Sequence, residues 1–190
     1  IGPFRTSGER GWDSQKESIT RVVFDESFAN CTTITSTADW FDDMSSLAAI
    51  EGIQYLNTQN VTEMWWMFGN CSSLTSLDLS TFNTQKVTDM YCMFCGCSGL
   101  ASLNVSSFNT QYVSRMEAMF FNCSSLTILD LSNFDTQKVT TMRSMFGSCS
   151  GLRTIYAGTR WTTEAVTDSW MMFDGCTSLV GSKGTTYDAE

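Results

Sequence analysis

The chain has 190 residues, of which 11 are Lys or Arg and 20 are Asp or Glu, for a formal net charge of -9. With 16% charged and 42% hydrophobic residues, disorder is excluded and one packed domain, at most two, is expected. Histidine is absent, which removes imidazole catalysis and His-ligated metals, and an acidic chain without a basic cluster is a poor partner for nucleic acid or an anionic membrane. No apolar run approaches the roughly 18 residues that a membrane span needs. The sequence opens at Ile1 without a charged-then-apolar leader, as expected of a mature protein or an excised piece whose targeting signal lies elsewhere.

Residues 1–39 follow no internal period and are expected to form an N-terminal cap. A degenerate first repeat follows in Phe41, Met44, Leu47, Ile50, Ile53 and Leu56, with Met44 where later copies carry Cys. From there the chain repeats. Cys71, Cys97, Cys123 and Cys149 stand 26 residues apart, and Cys176 follows after 27 because one residue is inserted near Arg160. Leu74, Leu77 and Leu79 return as Leu100, Leu103 and Val105 and again as Leu126, Leu129 and Leu131, followed by Phe82, Phe108 and Phe134. Such repetition makes an array in which each unit buries its apolar face against its neighbours.

Within a unit, Leu-x-x-Leu-x-Leu places Leu77 and Leu79 on one face of a short strand, with Asp78 on the other. The hydroxyl residues Thr62, Thr88, Ser114, Thr140 and Thr167 each follow a Val, and such residues cap helix N-termini. Met90, Met93, Phe94 and Cys97 then fall at i, i+3, i+4 and i+7, the stripe of a helix, with Gly96, Asn122 and Gly175 as stops. The expected fold is therefore an α/β repeat solenoid, leucine-rich-repeat-like, with short parallel strands on one side and two-turn helices on the other. Its limits are a cap at 1–39, the solenoid at 40–180, and a C-terminal cap or linker at 181–190. Thr58, Thr84, Thr110, Thr136 and Thr163, followed by Gln59, Gln85, Gln111, Gln137 and Glu164, are expected to form structural ladders.

The unit at 121–142, Phe-Asn-Cys-Ser-Ser-Leu-Thr-x-Leu-Asp-Leu-Ser-x-Phe-Asp-Thr-Gln-Lys-Val-Thr-x-Met, closely resembles the repeat of BspA-like, leucine-rich-repeat-related bacterial surface proteins. The resemblance covers about residues 40–180. Ile155-Tyr156-Ala157-Gly158, Trp161 and Leu179-Val180-Gly181 are similar to that family's last repeat, and Val22-Val23-Phe24 with Trp40-Phe41 to its opening segment. It implies a secreted or surface-attached bacterial protein, extracellular or on the cell surface, with adhesion or host interaction as the activity and no shared catalytic motif. Met44 for Cys and Ser169 for the first Met depart from the pattern, both in end units.

The chemistry-bearing residues mostly have structural readings. Five of the eight cysteines share the repeat column, where parallel Cβ vectors roughly 5 Å apart do not suit disulfides, so buried free thiols are expected. Cys92, Cys95 and Cys97 have the spacing of three thiolate ligands, but Cys97 is a core position and no second ligand cluster exists; no metal and no cofactor is expected. Asp39, Asp42 and Asp43 lack the alternating oxygens of a calcium loop and read as a solvated acidic end. Paired carboxylates for glycoside hydrolysis lack any pocket-forming insertion, which makes a polysaccharide-acting enzyme the weakest reading.

Function is expected at the variable positions of the repeat, since the constant ones are committed to packing. These hold Trp65, Tyr91, Glu117, Arg143 and Trp170, and beside them Trp66, Cys92, Ala118, Ser144 and Met171. Trp65, Trp66, Tyr91 and Trp170 are the candidate ligand-binding residues. They form either an exposed aromatic platform or a surface covered by residues 1–40. The leading expectation is a non-catalytic interaction module that adheres to a host or bacterial protein or glycan, without nucleic acid or membrane insertion. A passive spacer presenting another domain is the alternative.

Overall fold

The computed structural model describes residues 11–181. The expected cap residues 1–10 and 182–190 lie outside the described residues. The described residues hold six short strands: β1 (Arg21–Val23), β2 (Ala49–Glu51), β3 (Ser76–Asp78), β4 (Ser102–Asn104), β5 (Ile128–Leu131) and β6 (Thr154–Ala157). All pairing is parallel. β1 pairs with β2, β3 with β4 and β5 with β6, and equivalent repeat positions face each other, as in Leu77 with Leu103 and Leu129 with Ile155.

β1 carries the stacked geometry into the segment 1–39. Val22 faces Ile50, and the same coil goes on to bridge Ser36 to Glu63. Gly52 permits that close approach: it adopts φ +70°, and a Cβ there would collide with the carbonyl of Phe24.

Opposite the strands, a second column of single parallel bridges runs unbroken from Ser36 through Glu63, Asp89, Arg115 and Thr141 to Asp168. The segment after each bridge is where two-turn helices were expected, and there the structure differs. Among the described residues no α-helix forms, and the only helical pieces are 3-10 turns at Asp13–Ser18, Glu26–Asn30 and Ile53–Tyr55. The Met-x-x-Met-Phe segments are chains of tight turns instead.

Their backbone N–H groups alternate between two kinds of partner. Met64, Trp66, Phe68 and Asn70 donate to the carbonyls of Asp89, Tyr91, Met93 and Cys95 in the next coil, while Met67, Gly69 and Cys71 donate three residues back to Met64, Trp66 and Phe68. Every fourth residue is left-handed: Trp66 and Asn70, Cys92 and Gly96, Ala118 and Asn122, Ser144 and Ser148, Met171 and Gly175 all have φ between +51° and +75°. A left-handed residue cannot propagate a right-handed helix. Turns of this length nonetheless repeat every three to four residues, so they put Met64, Met67, Phe68 and Cys71 on one buried face just as a helix would.

The hydroxyls expected to cap helices are likewise used differently. Thr88, Ser114 and Thr140 donate Oγ–H to the carbonyls of Thr62, Thr88 and Ser114 in the preceding coil, at 3.1–3.4 Å. The residue one place on takes the turn-closing role, as Asp89 Oδ1 accepts from Tyr91 N–H at 2.9 Å and Asp168 Oδ1 from Trp170 N–H at 3.0 Å.

The core lies between the two columns and is built of stacked like residues. Phe41, Phe68, Phe94, Phe120, Phe146 and Phe173 form one continuous pile with centroids 5.3–5.7 Å apart and planes within 17° of parallel. Beside it runs the cysteine column. Cys71, Cys97, Cys123, Cys149 and Cys176 are buried free thiols, each donating S–H to the carbonyl of that Phe in the preceding coil at 2.9–3.1 Å. Burial pushes Cys97 and Cys149 up to about 12 and Cys176 up to about 11, so the thiols keep the proton they donate.

At the other edge of the core a threonine ladder forms, and its members Thr58, Thr84, Thr110 and Thr136 are buried. Thr110 Oγ donates to the Asp135 carbonyl and accepts from the Asp135 N–H, both at 2.8 Å. The glutamines beside these threonines face solvent instead of continuing the ladder. At the N-terminal end Trp12, Ile19, Val22, Phe28 and Trp40 are among the residues lining an apolar cavity of about 370 Å³. In the last coil the core positions Val166, Met172, Phe173 and Leu179 are only partly buried.

Thr110→Val should cost about 2–3 kcal/mol in urea unfolding, because it strands the Asp135 N–H and carbonyl in the interior; a cost below about 0.5 kcal/mol would show that water replaces the hydroxyl. The buried thiols also set an alkaline limit. A thiol in the unfolded chain ionises near 9, so below that pH both states hold the proton and stability is complete. Between about pH 9 and about 12 only the unfolded state ionises freely, and stability falls. Unfolding at about pH 8 and about pH 10.5 should show this loss, reduced in Cys97→Ala.

Candidate functional site

The variable positions open onto the turn face of the solenoid. Trp65, Tyr91, Glu117, Arg143 and Trp170 occupy one row, a single residue per coil, because each follows the bridge column by two residues. Trp66 sits beside this row on a left-handed turn residue with φ +51°. Trp65, Trp66 and Tyr91 are half-buried, and Trp170 is 55% exposed.

Trp66 and Tyr91 meet edge to face, with centroids 6.1 Å apart and planes at 85°. Arg115 lies over the Tyr91 ring, its Cζ 4.6 Å from the centroid. The same guanidinium reaches Asp89 at 2.9 Å and Glu117 at 3.8 Å. Burial, with a hydrogen bond to Cys92 next, raises the Tyr91 phenol to about 12, so it stays a neutral donor at physiological pH.

A second unit repeats this chemistry further along the stack. Arg143 Cζ lies 4.3 Å from the centroid of the Trp170 ring, and its Nη1 is 3.7 Å from Asp168. Trp66, Tyr91 and Arg115 thus form one cluster and Trp170 and Arg143 another, with the Glu117 and Arg143 positions separating Tyr91 from Trp170 along the row. Trp65 shares the row but not the Trp66–Tyr91 ring contact.

Arg115, Asp89 and Asp168 are not singled out by the sequence reading, and Arg143 and Glu117 enter it as variable positions without being ligand-binding candidates. Their signal was the repeat itself: Arg115 is the bridge-column residue one coil beyond Asp89, and Arg143 stands in the aromatic row one coil before Trp170. Of the described N-terminal residues, the coil at 36–43 stacks directly on that of Trp65, with Asp39 N–H donating to the Trp65 carbonyl at 3.1 Å, while Trp12 Nε1 donates to the Trp40 carbonyl at 3.2 Å and Lys16 pairs with Asp43 at 2.8 Å. Among the described residues no group of three or more Cys, Asp or Glu is arranged to hold a metal ion, and no helix is long and apolar enough to cross a membrane.

Comparison with known proteins gives the family. The sequence profile of DUF285, described as Mycoplasma protein of unknown function, matches residues 14–103 and 78–186. The chain belongs to the DUF285 family. Among solved structures it is similar to a leucine-rich repeat protein of T. pallidum, at 18% identity and a TM-score of 0.52 over 86% of this chain and 66% of that one. It is also similar to a leucine-rich repeat protein of Eubacterium ventriosum, at 20% identity and a TM-score of 0.50 over 90% of this chain and 45% of that one. A search of curated proteins returned no match. At these identities the likeness carries the fold: the molecule is a BspA-like, leucine-rich-repeat solenoid. The chain spans just under two thirds of the first of these relatives and less than half of the second.

If the guanidinium above Tyr91 is a surface feature and not a structural pin, Arg115→Ala should change stability by less than about 1 kcal/mol, since exposed ion pairs and cation–π contacts are worth about that much. Urea unfolding measures this. A loss of several kcal/mol would make Arg115 part of the scaffold.

Proposed function

We propose that this DUF285 solenoid is a non-catalytic interaction module at the bacterial surface, extracellular or cell-attached, which adheres to a host or bacterial protein or glycan through its turn face. One observation carries the reading: Trp66 and Tyr91 with Arg115, and Trp170 with Arg143, form paired aromatic and arginine groups at positions that coil packing does not need. The same columns hold Ala118 and Ser144, or Glu117, in coils that pack equally well. Trp, Tyr and Arg are the side chains that dominate binding energy at interfaces, because they bury large rigid areas while retaining a directional polar group.

Each arginine here is pre-ordered between a ring and a carboxylate, which lowers the entropy lost on binding. Protein ligands suit this arrangement best, because the arginines offer charge-assisted hydrogen bonds to backbone carbonyls and carboxylates while the rings cover apolar side chains. The spacer reading draws on the strand side, where Ser76, Asp78, Ser102 and Asn104 present small polar groups to solvent. Around β3 and β4 that face resembles an inert wall, whereas β1, β5 and β6 expose Val23, Ile128 and Tyr156 on it.

The test is an array of matrix proteins, bacterial surface proteins and glycans probed with the purified chain. Tyr91→Ala and Trp170→Ala are expected each to weaken the ligand found by about 30-fold, corresponding to about 2 kcal/mol at an interface, with the melting temperature of Trp170→Ala unchanged. Binding indifferent to both changes, or no ligand on the array, would leave the spacer reading in its place.

A further inference from the structure

Cys92 and Cys95 stand outside the buried cysteine column, and coil packing requires neither. At the position of Cys92 the other coils carry Trp66, Ala118, Ser144 and Met171, and at that of Cys95 they carry Gly69, Phe121, Gly147 and Asp174. The two cysteines are the first and last residues of one tight turn, closed by Cys95 N–H donating to the Cys92 carbonyl at 3.0 Å, and Cys92 itself is left-handed at φ +53°. Such a turn holds its first and fourth Cα atoms within about 7 Å, which overlaps the roughly 4.4–6.8 Å that a disulfide spans.

The side chains already interact. A hydrogen bond from the Cys92 thiol to the Cys95 sulfur favours the Cys95 thiolate and holds it below the ordinary thiol range, while Cys92 is pushed up by the same bond and by its burial. Access differs as well. Cys92 is 3% exposed, whereas Cys95 is only partly buried. The five column thiols are buried and protonated, so Cys31 is the one other cysteine with solvent access.

We propose that Cys95 and Cys92 form a thiol–disulfide exchange site that reacts with low-molecular-weight disulfides and closes to an intramolecular bond across the turn. Cys95 is the attacking sulfur because it is the accessible one and the better thiolate. In the first step its thiolate forms a bond to one sulfur of the small disulfide; the S–S bond of that molecule breaks, and the departing thiolate takes up a proton. In the second step Cys92 loses its proton and attacks the Cys95 sulfur, and the second small thiol leaves. Two protein thiols are oxidised and one small disulfide is reduced to two thiols, so the exchange balances. Cys92 needs no solvent access for its step, because its target is across the turn.

The experiment exposes the fully reduced, folded chain to cystamine, blocks the remaining thiols with N-ethylmaleimide and maps peptides by mass. The wild type is expected to yield a peptide in which Cys92 and Cys95 are joined, two hydrogen atoms lighter and unlabelled. Cys92→Ser should accumulate the mixed disulfide on Cys95, and Cys95→Ser should lose modification of this turn by at least about tenfold in rate. Ser144 at the Cys92 position, and Gly69 and Gly147 at that of Cys95, show that small residues fold there; the wild-type peptide map decides the matter even if a variant does not fold. Consumption of Cys31 with Cys92 and Cys95 still reduced, or a bond from Cys95 to Cys97, would overturn the proposal.

Discussion

The structure depends on where the backbone N–H groups of each turn segment go. Half of them bond within the coil and half cross to the next one, so a coil cannot satisfy its own backbone alone. Unpaired buried amides are expensive, and each coil therefore requires a neighbour in fixed register. Once that register is set, like residues must lie over like. The phenylalanine pile, the cysteine column and the threonine ladder are three consequences of the same constraint. Each uses its chemistry differently: rings stack in parallel, thiols donate to the carbonyl of the coil before, and hydroxyls both donate and accept.

Much of this was legible in the sequence because a period is a statement about neighbours. The recurrence of Cys97, Leu100, Leu103 and Val105 identifies the strand, the inward face and the stacking at once. The helix reading failed for a specific reason. Met90, Met93, Phe94 and Cys97 have helical spacing, but spacing reports only which residues share a face, and a train of four-residue turns produces the same spacing. The left-handed positions held the missing information. Gly96, Asn122 and Gly175 advertise positive φ, whereas Trp66, Cys92, Ala118 and Met171 adopt it with side chains that ordinarily avoid it. No single-residue rule finds those; the coil-to-coil hydrogen bonds hold them there.

The aromatic residues of the turn face were legible for the opposite reason, as exceptions to the repeat. Trp65, Trp66, Tyr91 and Trp170 are large where other coils are small or charged. Their partners were hidden because Arg115 and Asp89 look like ordinary surface charges in a linear reading. Only the stacking places Arg115 over the ring of Tyr91, one coil away, and sets Arg143 against Trp170.

The final coil has a consequence of its own. A coil whose core positions are partly open is held less firmly than one whose core positions are sealed. Val166, Met172, Phe173 and Leu179 are partly open, whereas their counterparts further in are sealed, so the amides of this coil should exchange with solvent through local fraying at lower free energy than those of the middle coils. Trp170 belongs to that partly open coil, while Tyr91 belongs to one whose core positions are sealed. The two halves of the turn face therefore rest on different foundations: one on a closed core, the other on a core with room left to tighten.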